Sequence, residues 1–261
     1  MDPVSHGMLG LALAVVVGFV LGLLGGGGSI LALPIFLYVF HVPTKSAVAM
    51  SLAVVGMSAA VGFLSHWRQG TVNLRIALPF SLCAMLGAFA TAKIAHQVPA
   101  QVQLGLFVIF ALAAAVFMLR DSLRAGPADE VRSARPSPHF SPLLGVQALG
   151  VGVLTSLIGA GGGFVIVPAL VLIAKVPVRA AVGSSLLIIA LNGLSGFVGY
   201  IGVVPIYWKL VGEFTGVAAV GAIIGTLVAP YVPQRRIKQG FAVTIILLGA
   251  LVVARQAGLL G

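Results

Sequence analysis

Two glycine clusters carry the least ordinary chemistry in this chain: Gly25, Gly26, Gly27 and Gly28 followed by Ser29, and Gly159 followed by Gly161, Gly162 and Gly163. Each lies inside an apolar run, "GLLGGGGSILALP" at 22–34 and "SLIGAGGGFVIVP" at 156–168. Glycine disfavours a helix by about 1 kcal/mol per residue relative to alanine, so each cluster is a break followed by a new helix, beginning near Ser29 or Gly163. The first amides of a helix have no intrahelical partner and carry roughly half a positive charge, which makes such a start an anion site that glycine lets an oxyanion approach closely. The chemistry on offer is recognition of a small oxyanion.

The polar residues that could complete such a site follow each Val-Pro: Ser51 and Ser58 in one stretch, Ser184, Ser185, Asn192 and Ser195 in the other. Residues 51 and 58, like 185 and 192, are two helical turns apart and share a face. Hydroxyl and amide groups donate to an anion without a full charge; they also join membrane helices to one another, a purely structural use. Lys45 and Arg179 stand near helix starts, where a cation opposes the dipole, and are expected to draw anions into a vestibule or to snorkel to the interface.

Other chemistries find little to work with. Neither glycine cluster is followed by Lys-Ser/Thr or an acidic ribose partner, which argues against a nucleotide-phosphate loop. His6, His41, His96 and His139 fall in terminal or loop-like stretches, and no pair has metal-ligand spacing. His66 in "SHWRQG" reads as a solvated histidine beside an interfacial Trp67. Glu213 is the one acidic residue near the interior of an apolar run, and Lys209 four residues earlier suits an i,i+4 ion pair. Cys83 is the single cysteine and reads as a packing residue. No catalytic constellation, metal site or cofactor is expected.

The elements that hold these residues must be membrane helices. Hydrophobic residues make up 60% of the chain and charged ones 8%, which leaves too few polar groups for a water-soluble surface. Runs at Arg75–Ala92, Val98–Leu119, Arg179–Ile201, Tyr207–Pro230 and Val232–Ala254 are each long enough to cross a bilayer. The formal charge of +10 sits at the ends of those runs, where it orients helices, so nucleic acid is not an expected partner. The first apolar run is preceded by no Lys or Arg and followed by no A-x-A cleavage pattern, and is expected to be permanent structure.

An offset of 134 residues lays the chain on itself without gaps. Gly18 falls on Gly152, Gly25 on Gly159, Pro34 on Pro168, Val42-Pro43 on Val176-Pro177, Lys45 on Arg179, Ser51 on Ser185, Gly62-Phe63 on Gly196-Phe197, and Val98-Pro99 on Val232-Pro233. Matched Gly, Pro and charge in one register mark a duplicated unit. One membrane domain is expected: a first repeat at 1–120, a Pro-, Ser- and Arg-rich cytoplasmic linker at 121–141, and a second repeat at 142–261.

The stretch from Met8 to Phe40 would be about 50 Å long as one helix, against roughly 30 Å of hydrocarbon, so it either folds back at the glycines, crosses twice, or crosses once as a broken helix. The first two options make the repeats inverted and the third makes them parallel. Inversion collects eleven Lys and Arg on one face against four opposite, whereas the parallel arrangement splits them eight to seven. The positive-inside rule favours inversion, with the linker inside and both termini extracytoplasmic. The expected fold is an all-α integral membrane protein of two inverted-topology repeats, each a Gly-broken helical hairpin plus three transmembrane helices. Such breaks line a cavity at the midplane in transporters. Gly18-x-x-x-Gly22, Gly212-x-x-x-Gly216 and Gly221-x-x-x-Gly225 read instead as helix-packing pairs.

The doubled motif "GLLGGGGSILALPIFLYVFHVPTKSAVAMS" and "SLIGAGGGFVIVPALVLIAKVPVRAAVGSS" resembles the TauE/SafE family of membrane exporters for sulfite and small organosulfonates, over nearly the whole chain outside the linker. The resemblance implies export of a small anion across the bacterial inner membrane. The partners expected are that anionic substrate and the lipid bilayer, with a homodimer as the assembly allowed. A channel or transporter for another small anion, or a scaffold without transport, is the alternative.

Overall fold

The computed structural model describes residues 3–26, 28–95, 97–124, 142–159, 163–173 and 176–232, with isolated positions 239 and 243 beyond them. Every regular element among the described residues is helical. The first repeat supplies α1 (Pro3–Leu24), α2 (Ser29–Tyr38), α3 (Thr44–Arg68), α4 (Leu74–Ala95) and α5 (Ala100–Arg124). The second supplies α6 (Pro142–Ile158), α7 (Gly163–Pro168, continued by a π-helical turn through Ile173), α8 (Val178–Tyr200) and α9 (Trp208–Val228). Helix α5 runs on through Arg124, past the expected linker boundary; the rest of that linker and the last apolar run lie outside the described residues.

The 134-residue register governs geometry as well as sequence. Pro43 and Pro177 cap α3 and α8 with the same extended backbone (φ −53°, ψ 140° and 141°). Proline cannot continue a helix inward but can offer its carbonyl as the first acceptor. Accordingly Ala47 N–H donates to Pro43 O at 2.9 Å and Ala181 N–H to Pro177 O at 2.8 Å. The turns before them match too, with Val42 N–H on Phe36 O and Val176 N–H on Leu170 O, both at 2.9 Å.

The long first apolar stretch folds back. Gly28 lies against Val17 and Leu21, and twelve residues later Phe40 has returned to Gly10, so α2 retraces α1 toward its start. With 10 residues α2 is about 15 Å long, half the hydrocarbon thickness, and cannot cross on its own. The stretch thus folds back on itself and is not one continuous broken crossing.

Helices α3 and α8 form the centre and are buried over most of their length. They cross antiparallel: Gly62 meets Leu186, Gly56 meets Ala190 and Leu194, and Leu52 meets Gly193 and Gly196. Around them the two repeats exchange helices. The first helix of repeat one packs on α9 of repeat two, and α6, its counterpart, packs on α4. These contacts are close enough to need glycine. Gly18 faces the Ala218 carbonyl and Gly152 the Ala84 carbonyl, while Gly221 faces Val15 and Gly87 faces Leu149, each pair being the other shifted by the repeat. The Gly18/Gly22 and Gly221/Gly225 pairs thus interlock across α1 and α9, as expected. Gly212 and Gly216 have no such partner among the described residues: none of these approaches within 4 Å of a side chain built at either, because that end of α9 turns them outward.

Four helices among the described residues are long and apolar enough to cross a membrane: Thr44–Arg68, Leu74–Ala95, Arg179–Tyr200 and Trp208–Tyr231. The outer two carry apolar stripes left exposed by the bundle, Leu78, Leu82, Leu86 and Phe89 on α4 and Val220, Ile223, Ile224 and Leu227 on α9. Helical spacing of large exposed apolar groups on two pseudo-equivalent helices is what a lipid-facing surface requires. Trp67 lies exposed at the end of α3 beside Phe63, ring centroids 5.2 Å apart, as suits an interfacial anchor.

Leucine at Gly18 or Gly152 is expected to destabilise the folded protein by about 1–3 kcal/mol or more through overpacking against backbone, whereas leucine at Gly216 should leave the thermal midpoint unchanged. Thermal unfolding of the detergent-purified variants, followed by size-exclusion recovery, distinguishes the two.

Candidate functional site

The two breaks meet. Gly25 and Gly159 both have φ +73°, left-handed backbone that side-chain-bearing residues rarely hold, and each packs on the opposite repeat's central helix: Gly25 on Val182 and Ser185, Gly159 on Val48. Gly26 and Gly163 then lie backbone to backbone, too close for a Cβ on either. Their glycines serve the approach of one break to the other, a role distinct from the ligand contact expected for them. Gly27, Gly161 and Gly162 lie outside the described residues.

The expected bare amides are partly engaged. Ser29 N–H closes on Gly26 O at 3.3 Å and Leu31 N–H on Gly28 O at 3.2 Å, while the Ser29 hydroxyl donates to Gly26 O at 2.7 Å. Tight turns at the start of α2 therefore use up donors that a free helix start would present.

Ser51 and Ser185 are equivalent, fully buried, and placed against the breaks. Ser51 Oγ can donate to Val48 O at 2.9 Å or to the Gly159 carbonyl of the other repeat. Ser185 Oγ donates to Val182 O at 2.8 Å and lies beside Gly25. Each serine thus braces the opposite break.

Two turns further along the same faces the pattern changes. Ser58 and Asn192 coincide under the repeat, stand at the α3–α8 crossing, and are fully buried, yet Ser58 Oγ and both amide atoms of Asn192 have no hydrogen-bond partner among the described residues. Ser156 Oγ is likewise unpartnered and approaches Gly196, one turn from Asn192 on α8. A buried polar group left unpaired costs about 1–3 kcal/mol. Ser58 is thus unpaired as Asn192 is, and the repeat register that places it on Asn192 was the signal for it; Ser156, not singled out by sequence, is unpaired beside α8. Ser184 and Ser195 do structural work instead: Asn73 N–H donates to Ser184 Oγ at 2.9 Å, and Ser195 Oγ donates to Met85 O at 3.0 Å.

Because α3 and α8 cross antiparallel, Lys45 and Arg179 at their N-terminal ends mark opposite ends of the bundle. Lys45 is half-buried; Arg179 is exposed and donates from Nη2 to Pro230 O at 3.0 Å. His66 departs from expectation. It is 4% exposed, with Nε2 3.2 Å from Gly22 O and Nδ1 2.9 Å from Thr71 Oγ1, because the α3–α4 turn folds over it. Its repeat equivalent is Tyr200, whose hydroxyl donates to Ser156 O at 2.9 Å, and Ser156 is the equivalent of Gly22. Glu213 pairs with Lys209 at 3.9 Å on the exposed surface, the i,i+4 arrangement the spacing suggested.

A duplicated, glycine-broken hairpin bundle with a buried polar cluster at its pseudo-twofold crossing invites comparison with membrane transporters. The family model described as "Sulfite exporter TauE/SafE" matches residues 10–252. The chain belongs to the TauE/SafE family. Among its relatives, a "Probable membrane transporter protein" of Xylella fastidiosa is 35% identical over 82% of this chain and 81% of its own length. The "Probable membrane transporter protein YdhB" of Bacillus subtilis is 28% identical over 94% of this chain and 100% of its own. No solved structure matches. The relatives that it matches are named as membrane transporters, and the family match runs over residues 10–252.

Alanine at Gly25 or at Gly159 should cost about 1–2 kcal/mol from left-handed backbone alone, and more from collision with the opposite α3 or α8. Equal losses in thermal midpoint for the two variants would reflect their equivalent places; a loss at one alone would contradict it.

Proposed function

We propose that this TauE/SafE protein exports a small oxyanion, such as sulfite or an organosulfonate, binding it beside the two breaks between Ser58, Asn192 and Ser156. The unpartnered amide of Asn192 carries the reading: an Asn with both polar atoms buried and unpaired is a group waiting for a polar ligand. Two helix starts, at Ser29 and Gly163, lend partial positive charge from either side, and Gly25, Gly28, Ser51, Gly159 and Ser185 hold them in place. Gly27, Gly161 and Gly162 complete the breaks in sequence. Hydroxyl and amide donors without a full charge suit a solute that must be released as well as bound.

The repeats are inverted in the membrane on this reading. Equivalent helices α3 and α8 running antiparallel put their relating axis across the helices, hence in the bilayer plane. The re-entrant hairpin, which returns to its starting side, supports the same assignment and with it the extracytoplasmic termini. Alternating access then consists of rocking the repeats about that axis, with Lys45 and Arg179 as cations at opposite vestibules.

Efflux is driven by membrane potential. Moving one negative charge out of an inside-negative cell releases about 2.3 kcal/mol per 100 mV, and the acidic residue on a membrane helix, Glu213, is an exposed ion-pair partner rather than part of a carboxylate relay.

Thermal-shift measurements against sulfite, sulfoacetate, taurine, acetate and chloride test the ligand class. Sulfite or sulfoacetate should raise the midpoint of the native protein. Asn192→Leu should raise the ligand-free midpoint, by removing an unpaired buried amide, while abolishing the anion-induced shift; an anion response that survives this change would refute the site. In proteoliposomes, substrate flux should follow an imposed potassium diffusion potential in sign and size, and flux indifferent to it would eliminate the electrogenic mechanism.

A further inference from the structure

One equivalent buried pair, His66 and Tyr200, performs the same contact with different chemistry. Tyr200 and His66 each reach the carbonyl of the residue three before the left-handed glycine of a break, Ser156 O and Gly22 O. One closure is a phenol and the other an imidazole. Of the two side-chain types, imidazole is the one whose unperturbed titration falls near neutral pH.

His66 also lines a small cleft of about 50 Å³, part of it open to the outside, together with Gln69, Thr71, Arg179, Leu23 and Val182. The cleft abuts one of the breaks: Val182, in its lining, packs against Gly25. Among the described residues, Arg179 is the charged group of its lining, and no carboxylate lies in it. Among the described residues, the other elements beside His66 offer uncharged groups: α1 Gly22 and Leu23, the α3–α4 turn Gln69 and Thr71, and the end of α9 Ala229 and Pro230. Arg68, on the same helix, is exposed.

Hydrogen bonding around the ring fits two protonation states equally. Nε2 faces a carbonyl and must carry a hydrogen in both. Thr71 Oγ1 stands 2.9 Å from Nδ1 and 3.0 Å from His66 O. With a neutral ring, the hydroxyl donates to Nδ1. With a charged ring, Nδ1–H donates to Oγ1 and the hydroxyl turns to His66 O. Rotation of one hydroxyl satisfies either state, so the change of charge leaves no buried group unpaired.

A second positive charge beside Arg179 is opposed while the cleft holds no anion and favoured once one enters. We propose that this cleft is a one-sided vestibule subsite in which a small monoanion binds between Arg179 and His66 together with one proton taken up by His66. The inference rests on the anion-transport reading above and adds to it a proton requirement at one mouth. The proton returns to the same side when the anion moves on to the breaks, so the charge carried across is that of the anion. Tyr200 gives the opposite mouth no such requirement.

Methanesulfonate, an anion whose own charge is constant near neutral pH, is the probe. Its binding to the full-length purified protein is measured by calorimetry across about pH 6 to about pH 8.5, in buffers of different ionisation enthalpy. The native protein should take up protons on binding, approaching one per anion. Its affinity should fall by up to roughly tenfold per pH unit on the alkaline side of the free imidazole's titration, the slope of one linked proton. His66→Tyr, which copies the second repeat's own closure, and His66→Gln, which keeps an N–H donor for Gly22 O, should bind without proton uptake and with affinity flat to within about twofold over the same range. Native binding without proton uptake overturns the proposal while leaving the anion site standing, as does uptake that persists in both variants. Absence of binding by any tested anion, sulfite included, overturns the anion-transport reading and this inference with it.

Discussion

A backbone that stops being helical inside a membrane must find partners within the protein, because hydrocarbon offers none. Here the partner of each interruption is the other repeat. Ser51 reaches the Gly159 carbonyl, Ser185 lies against Gly25, and Gly26 meets Gly163 directly. The antiparallel crossing of α3 and α8 is the arrangement that delivers both serines to both breaks at once, and the exchange of α1 and α6 between repeats holds that crossing shut. The fold is organised around two defects that seal one another.

Much of this could be read from sequence because it depends on residues with strong backbone preferences. Proline before α3 and α8, glycine at 25 and 159, and a constant offset between them mark where helices begin, break and repeat. The route of the first apolar stretch could not be read, since 33 apolar residues serve a fold-back or a broken single crossing equally well; the return of Phe40 to Gly10 shows the fold-back. Spacing alone also misled at Gly212 and Gly216, which have the four-residue interval of a packing pair but no neighbour among the described residues. An interval describes one helix face, whereas packing depends on what stands opposite.

The polar residues illustrate the same limit. Ser51, Ser58, Ser185 and Asn192 were visible as a set sharing helix faces, but their division into braces and unpaired groups follows from the height at which α3 and α8 cross. His66 looked like a solvated residue beside Trp67 because nothing local announces that the α3–α4 turn folds over it. The register did pair it with Tyr200; only the two carbonyls, Gly22 and Ser156, reveal that the pair performs one task with different chemistry.

The swapped packing of the outer helices bears on how the protein is made. Gly18 leaves the ribosome 200 residues ahead of Ala218, the residue whose carbonyl it is shaped to meet. During that interval α1 sits in lipid with its small-residue face uncovered, and the re-entrant segment behind it has no opposing break to close against. The contacts that close each break therefore form only after the second repeat has been made, and each half on its own lacks the surface that its glycines are shaped to meet.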